Sequence, residues 1–143
     1  AKVVGIDFSL EMLQRARGCL EEAGLAAKVT LLRTEVQSLP LLDGSMDVAL
    51  VNGFFNLNPF REDAFRELAR GLRPGGVLYA SELVLREPAV PGAATSKPAP
   101  PRRPPVLQEF RDAGFARAEI VKTTCNLRTR NSRIMAAHVR VVR

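Results

Sequence analysis

The sequence predicts an α/β protein built on a doubly wound, mostly parallel sheet that ends in an antiparallel hairpin. Three observations predict it. Short, nearly continuous apolar runs such as "KVVGI" and "MDVALVN" read as strands covered on both faces. Amphipathic stretches of helical period lie between them, and such alternation of strand and helix argues for parallel pairing. The last two apolar runs follow one another with only a polar turn between.

Each element has its own signal. "KVVGI" is the first strand, and "SLEMLQRARGCLEEAG" the first helix, with Ser9 as its cap, Glu11 near its positive end and Gly24 at its stop. Leu13, Ala16, Leu20 and Ala23 recur at steps of three and four, which predicts a buried stripe. "KVTLLR" is the second strand, and an Asp-Gly turn precedes the third, "MDVALVN". In "REDAFRELARGL", Phe65, Leu68 and Leu72 share one helical face, and Arg73-Pro74-Gly75-Gly76 ends that helix. "GVLYASELVL" is the next strand. Residues 86–105 hold seven of the ten prolines without periodicity and read as a proline-rich loop. "VLQEFRDAGF" is a short helix ending at Gly114, and "ARAEIVKTT" with "SRIMAAHVRVV" forms the terminal hairpin.

At 143 residues the expectation is a single domain, 1–143. No apolar run approaches the roughly 20 residues that span a bilayer, and the opening residues lack signal-peptide order. The expected compartment is the cytoplasm. The formal charge of +6 is concentrated from Arg102 onward, where ten basic residues lie. Aromatic residues that would stack on bases are absent beside them, so a solvated face is expected rather than a nucleic-acid site. Cys19 and Cys125 lie far apart with no histidine at ligand spacing, so no metal site is expected. His138, the single histidine, sits in an alternating terminal segment and reads as structural or exposed.

Asp7 stands at the carboxyl end of the first strand, just before a helix, where ligands bind in doubly wound sheets. A carboxylate there can accept hydrogen bonds from both hydroxyls of a ribose, and it can equally serve as a helix cap. Glu35 lies beyond the second strand and Val36 follows it, so both reach the same sheet edge. That set suits an adenosine: one acid for the ribose, another for the adenine amino group, and a backbone N–H for a ring nitrogen. Taken alone, Glu35 is also compatible with an exposed loop acid.

Four motifs in order now resemble one family, the class I S-adenosylmethionine-dependent methyltransferases. "VVGIDFSLEMLQRAR", "LPLLDGSMDVALVN", "ELARGLRPGGVLYASELVL" and "FRDAGFARAEI" are similar to its second strand with the following helix, its fourth-strand motif, its fifth-strand unit and its late helix. The resemblance implies a Rossmann-like fold and S-adenosyl-L-methionine as cofactor. It makes Asp7 the ribose ligand, with Phe8 and Met12 packing near the adenine, although Met12 also reads as plain core. Glu35 takes the place usually held by an aspartate on the adenine amino group, and Val36 offers its backbone N–H. Asn52 would face the methionyl part and a small-molecule methyl acceptor, while Asn56 and Tyr79 are possible polar wall residues. "VNGFFNLNPFREDAFREL" is similar to the corresponding stretch of arsenite methyltransferases, with Gly53 in place of their metalloid-binding cysteine. Arsenite needs several convergent thiolates, so it is not the expected acceptor.

In this family a first strand and glycine-rich loop precede the stretch with which the chain opens. The expectation is therefore a sheet missing that strand, the remainder of a longer methyltransferase. A central strand makes on the order of ten ladder hydrogen bonds of about 1 kcal/mol each, comparable to a domain's whole stability of about 5–15 kcal/mol. Three alternatives stay open: a non-catalytic fragment or scaffold of the same fold, a nicotinamide-dependent oxidoreductase fragment, and an arginine-rich nucleic-acid binder.

Overall fold

The computed structural model describes residues 2–55, 57–85, 103–125 and 134–143. The chain divides into two compact units, Ala1–Pro40 and Leu41–Arg143.

In the first unit, β1 (Val3–Asp7) pairs in parallel with β2 (Val29–Arg33), in register from Val3 opposite Val29 to Asp7 opposite Arg33. Gly5 permits the close approach of Leu31, whose Cδ2 would lie 2.8 Å from a Cβ at that position. Helix α1 (Leu10–Glu22) connects the two strands, with a short 3-10 turn at Ala26–Lys28 before β2. Ser9 caps it as the sequence predicts, its Oγ accepting from the Met12 N–H at 3.3 Å. The stop is a Schellman motif. Gly24 takes φ +67°, its N–H reaches Glu21 O, and the Leu25 N–H reaches Leu20 O at 2.8 Å. The predicted stripe is a correction: Leu13, Ala16 and Leu20 are only half-buried, Ala23 is exposed, and α1 buries no residue fully. A sheet of two five-residue strands is too narrow to cover a helix of this length.

The second unit holds a four-stranded sheet in the order β3-β4-β6-β5. Strand β3 (Met46–Asn52) runs parallel to β4 (Leu72–Leu85). The link between them is α2 (Arg61–Gly71), and β5 (Arg117–Cys125) and β6 (Ile134–Val142) form the predicted antiparallel pair. Helix α3 spans Arg103–Asp112, so the expected loop is shorter than predicted at its end. Two prolines fit the first helical turn, where N–H groups have no intrahelical partner. The rest of that loop, 86–102, lies outside the described residues, as does Asn56. The Arg73–Gly76 turn is enclosed within β4, which shifts register against β3 between Met46 and Val48.

One face of this sheet is covered. Leu78, Ala80 and Val84 of β4 and Ala137, Val139 and Val141 of β6 are buried with Ala64, Phe65 and Leu68 of α2 and Val106 and Phe110 of α3. Phe55, Phe65, Phe110 and Phe115 form a connected aromatic core, with centroid separations of 4.4–5.7 Å in mostly edge-to-face geometry. The other face carries exposed apolar side chains: Val48, Leu50, Tyr79, Leu83 and Val121. Among the described residues, β3 pairs with β4 alone.

Candidate functional site

In the first unit the predicted ligands gather at the carboxyl end of the parallel pair. Asp7 ends β1, half-buried, and its Oδ1 accepts from the Ser9 N–H at 2.8 Å. The cap of α1 is Ser9, and Asp7 braces the helix entry by holding the N–H of that residue. That bond engages one of the two carboxylate oxygens, so this role and ribose binding are compatible. The backbone ties the neighbouring loop to the same edge: the Thr34 N–H donates to Asp7 O at 3.3 Å, and Arg33 Nε to Phe8 O at 3.1 Å.

Two residues beyond Arg33, the register partner of Asp7, lies Glu35. It is exposed, and its carbonyl closes a turn by accepting from the Ser38 N–H at 3.1 Å. Val36 is half-buried. Phe8 is 69% and Met12 47% exposed, so Met12 is not a core residue. Phe8 and Met12 are thus exposed apolar side chains close in sequence to Asp7.

In the second unit, Asn52 ends β3 and is exposed. It lines an open hollow of about 310 Å³ with Leu50, Tyr79, Ser81, Val121 and His138. The register explains the grouping, since Asn52 lies opposite Ser81 and Ser81 opposite His138 across three adjacent strands. The chain then turns at Gly53, whose φ of +63° lies in the left-handed region that favours glycine. Gly53 stands where the resemblance expects a cysteine, and its backbone conformation suits the residue present.

The sequence reading missed Glu82. This residue is 2% exposed, and its Oε1 accepts from the N–H groups of Phe54 at 2.8 Å and Phe55 at 3.1 Å. A signal was present in "LYASELVL": positions 78, 80, 82 and 84 share the covered face, and an acid among them needs partners.

Three of the described C-terminal arginines, Arg117, Arg140 and Arg143, are engaged within the unit. Arg117 and Arg140 both bind Glu119, at 2.7 Å and 3.2 Å, and this holds the Glu119 carboxyl below the usual carboxylate range, with the Arg140 bond the larger cause. Arg143 donates to the carbonyls of Arg70 and Leu72. Among the described residues no cluster of three or more His, Cys, Asp or Glu is placed to hold a metal ion. No described helix is long and apolar enough to cross a membrane.

Residues 1–80 match the family described as a methyltransferase domain. A demethylmenaquinone methyltransferase of Thermus thermophilus is 42% identical over 83 residues, covering 57% of this chain and 36% of that protein. An arsenite methyltransferase of Halobacterium salinarum is 34% identical over 86 residues, covering 60% of this chain and 22% of that protein. The chain therefore spans between about a fifth and a little over a third of these curated relatives. Among solved structures, the cyclase SpnF superposes with a TM-score of 0.83 at 21% identity, over 99% of this chain and 66% of that one. An arsenic(III) S-adenosylmethionine methyltransferase from Chlamydomonas reinhardtii superposes with a TM-score of 0.82 at 18% identity, over 99% of this chain and 55% of that one. The order of elements, the Rossmann-like arrangement they share with these structures, and the family match across more than half of its length agree: this chain belongs to the methyltransferase-domain family.

Proposed function

We propose that the chain is the cofactor-holding part of an S-adenosyl-L-methionine-dependent methyltransferase acting on a small-molecule acceptor in the cytoplasm. One observation carries this reading: Asp7, at the carboxyl end of β1, shares its sheet edge with Glu35, and the apolar Phe8 and Met12 stand exposed beside it. Asp7 would take the ribose hydroxyls, Glu35 the adenine amino group and the Val36 N–H a ring nitrogen. Phe8 and Met12 would cover the adenine plane. By the family resemblance, Asn52 would face the methionyl part and the acceptor side. When bound, the cofactor supplies a methyl group already activated on a sulfonium, so the chain's own task is binding and alignment. The curated relatives act, by their names, on arsenite and on demethylmenaquinone, both small acceptors. With Gly53 in the cysteine position and Cys19 exposed and unpaired, an organic acceptor fits this chain better than arsenite.

Calorimetric titration with S-adenosylmethionine tests the reading on three chains: wild type, Asp7→Asn and Asp7→Ala. Asp7→Asn keeps an oxygen for the Ser9 N–H while removing the charge. Micromolar binding by the wild type, weakened at least tenfold in both variants, is the expected result. No heat from a wild-type chain shown by circular dichroism to be folded would overturn the proposal.

A further inference from the structure

We propose that Glu82 is a positioning residue: its buried carboxylate fixes the backbone of the loop after β3 and thereby sets the direction of Asn52. The functional consequence rests on the cofactor reading above, whereas the structural part stands on the loop itself.

The loop is held at three successive residues by three different means. The Gly53 N–H donates to Ser81 O at 2.8 Å, which extends the β3–β4 ladder by one bond. The N–H groups of Phe54 and Phe55 converge on a single oxygen, Glu82 Oε1, reaching across from the neighbouring strand. The Phe55 ring is buried, 4.5 Å from Phe65 and 5.7 Å from Phe110, centroid to centroid. A turn through positive φ at Gly53 would otherwise be the most deformable point between Asn52 and the core.

The choice of residue fits positioning better than packing. A hydrophobe at position 82 would continue the Leu78, Ala80, Val84 phase of the covered face. An acid buried there carries a desolvation cost that only well-placed donors offset, and two of those donors belong to this loop. Consecutive N–H groups aimed at one carboxylate oxygen are short, charge-assisted bonds that tolerate little displacement. Ser81 and Glu82, adjacent in β4, thus divide the work: Ser81 lines the open hollow with Asn52, and Glu82 anchors from the covered side the turn that follows Asn52.

Two conservative variants separate positioning from bulk stability. Glu82→Gln keeps the reach and an acceptor oxygen but loses the charge, whereas Glu82→Asp keeps the charge but shortens the reach by one methylene. Leu68→Ala, in the core of the same unit, is the destabilised control. The readouts are amide exchange by NMR at Gly53, Phe54 and Phe55, and the Kd for S-adenosylmethionine.

The expected order is specific. Glu82→Gln stays within about threefold of wild type in Kd. Glu82→Asp binds at least tenfold more weakly, and its Phe54 and Phe55 amides exchange at least tenfold faster. Leu68→Ala lowers the melting temperature without changing Kd or singling out those amides. Equal exchange at Phe54 and Phe55 in Glu82→Asp and wild type would overturn the proposal, as would a Leu68→Ala chain that loses binding to the same extent. Should the wild type bind no cofactor, the methyltransferase reading fails, and the exchange order among the Glu82 variants alone decides the structural assignment.

Discussion

Phe110 and Phe8 are the same residue type placed in opposite surroundings, and truncating each to alanine should separate fold from function. Phe110 is fully buried and its ring meets those of Phe55, Phe65 and Phe115 at centroid distances of 5.7, 4.4 and 5.7 Å. Removing a ring so enclosed costs its transfer free energy and leaves a cavity, together about 3–5 kcal/mol. Against a total stability of about 5–15 kcal/mol, that is between a fifth and most of the whole. Phe8 is 69% exposed, and its truncation should change stability by less than about 0.5 kcal/mol. Urea unfolding monitored by circular dichroism measures both changes, and calorimetry with S-adenosylmethionine measures the second role. Phe110→Ala is expected to shift the urea midpoint strongly, while Phe8→Ala keeps the midpoint and weakens cofactor binding. A Phe110→Ala chain within 1 kcal/mol of wild type would refute the claim that the aromatic cluster is the core of the second unit. An unaltered cofactor Kd in Phe8→Ala would remove Phe8 from the proposed adenine contacts.

Two further outcomes follow from particular positions. Burial raises the Glu109 carboxyl above its ordinary value despite the opposing Arg61 guanidinium 2.5 Å away, and Glu109 Oε2 is buried without a hydrogen-bond partner. A raised folded-state pKa gives stability that is full below the unfolded pKa and lost as pH rises through the folded one. Glu109→Gln should therefore flatten the fall in stability above about pH 4.5, which urea midpoints across pH 4–8 would read. At Gly53 a Cβ would meet nothing within 4 Å, yet the backbone holds φ +63°. Gly53→Cys should therefore fold with a penalty of about 1–2 kcal/mol from the left-handed conformation alone, measurable by thermal or urea unfolding.

Much of this was readable because each signal was local. The Ser9 cap and Gly24 stop depend only on residues within one turn of the helix end, and both take the predicted geometry. Phe65 and Leu68 are buried on α2 as periodicity requires, whereas Leu72, also buried, already belongs to β4. What misled was tertiary. The α1 stripe is apolar in the right places, but periodicity reports which face a helix offers and not how much sheet lies beneath it. Arg73–Gly76 reads as a break, yet the Gly75 N–H bonds to Arg143 O and the Arg143 N–H to Gly76 O, so pairing with the chain's end carries the turn inside a strand. Glu82 escaped notice for the same reason: its partners are 27 and 28 residues away, and no window along the sequence contains them.

The site residues divide along the same line. Asp7 and Glu35 could be placed together because parallel register alone brings the ends of β1 and β2 to one edge, and Asp7 is the partner of Arg33 as that register demands. The acceptor side follows no such rule, because the fold likeness extends equally to a cyclase and to a methyltransferase of arsenic. A shared sheet therefore fixes where chemistry can occur without fixing which chemistry occurs. In this chain the proposed acceptor side lies at the end of β3, followed by Gly53, which offers no thiolate, and by the two N–H groups that Glu82 holds. Under the proposed function, substitutions in that loop should change what the protein accepts, whereas Asp7→Asn, which keeps an oxygen for the Ser9 N–H, should weaken cofactor binding alone.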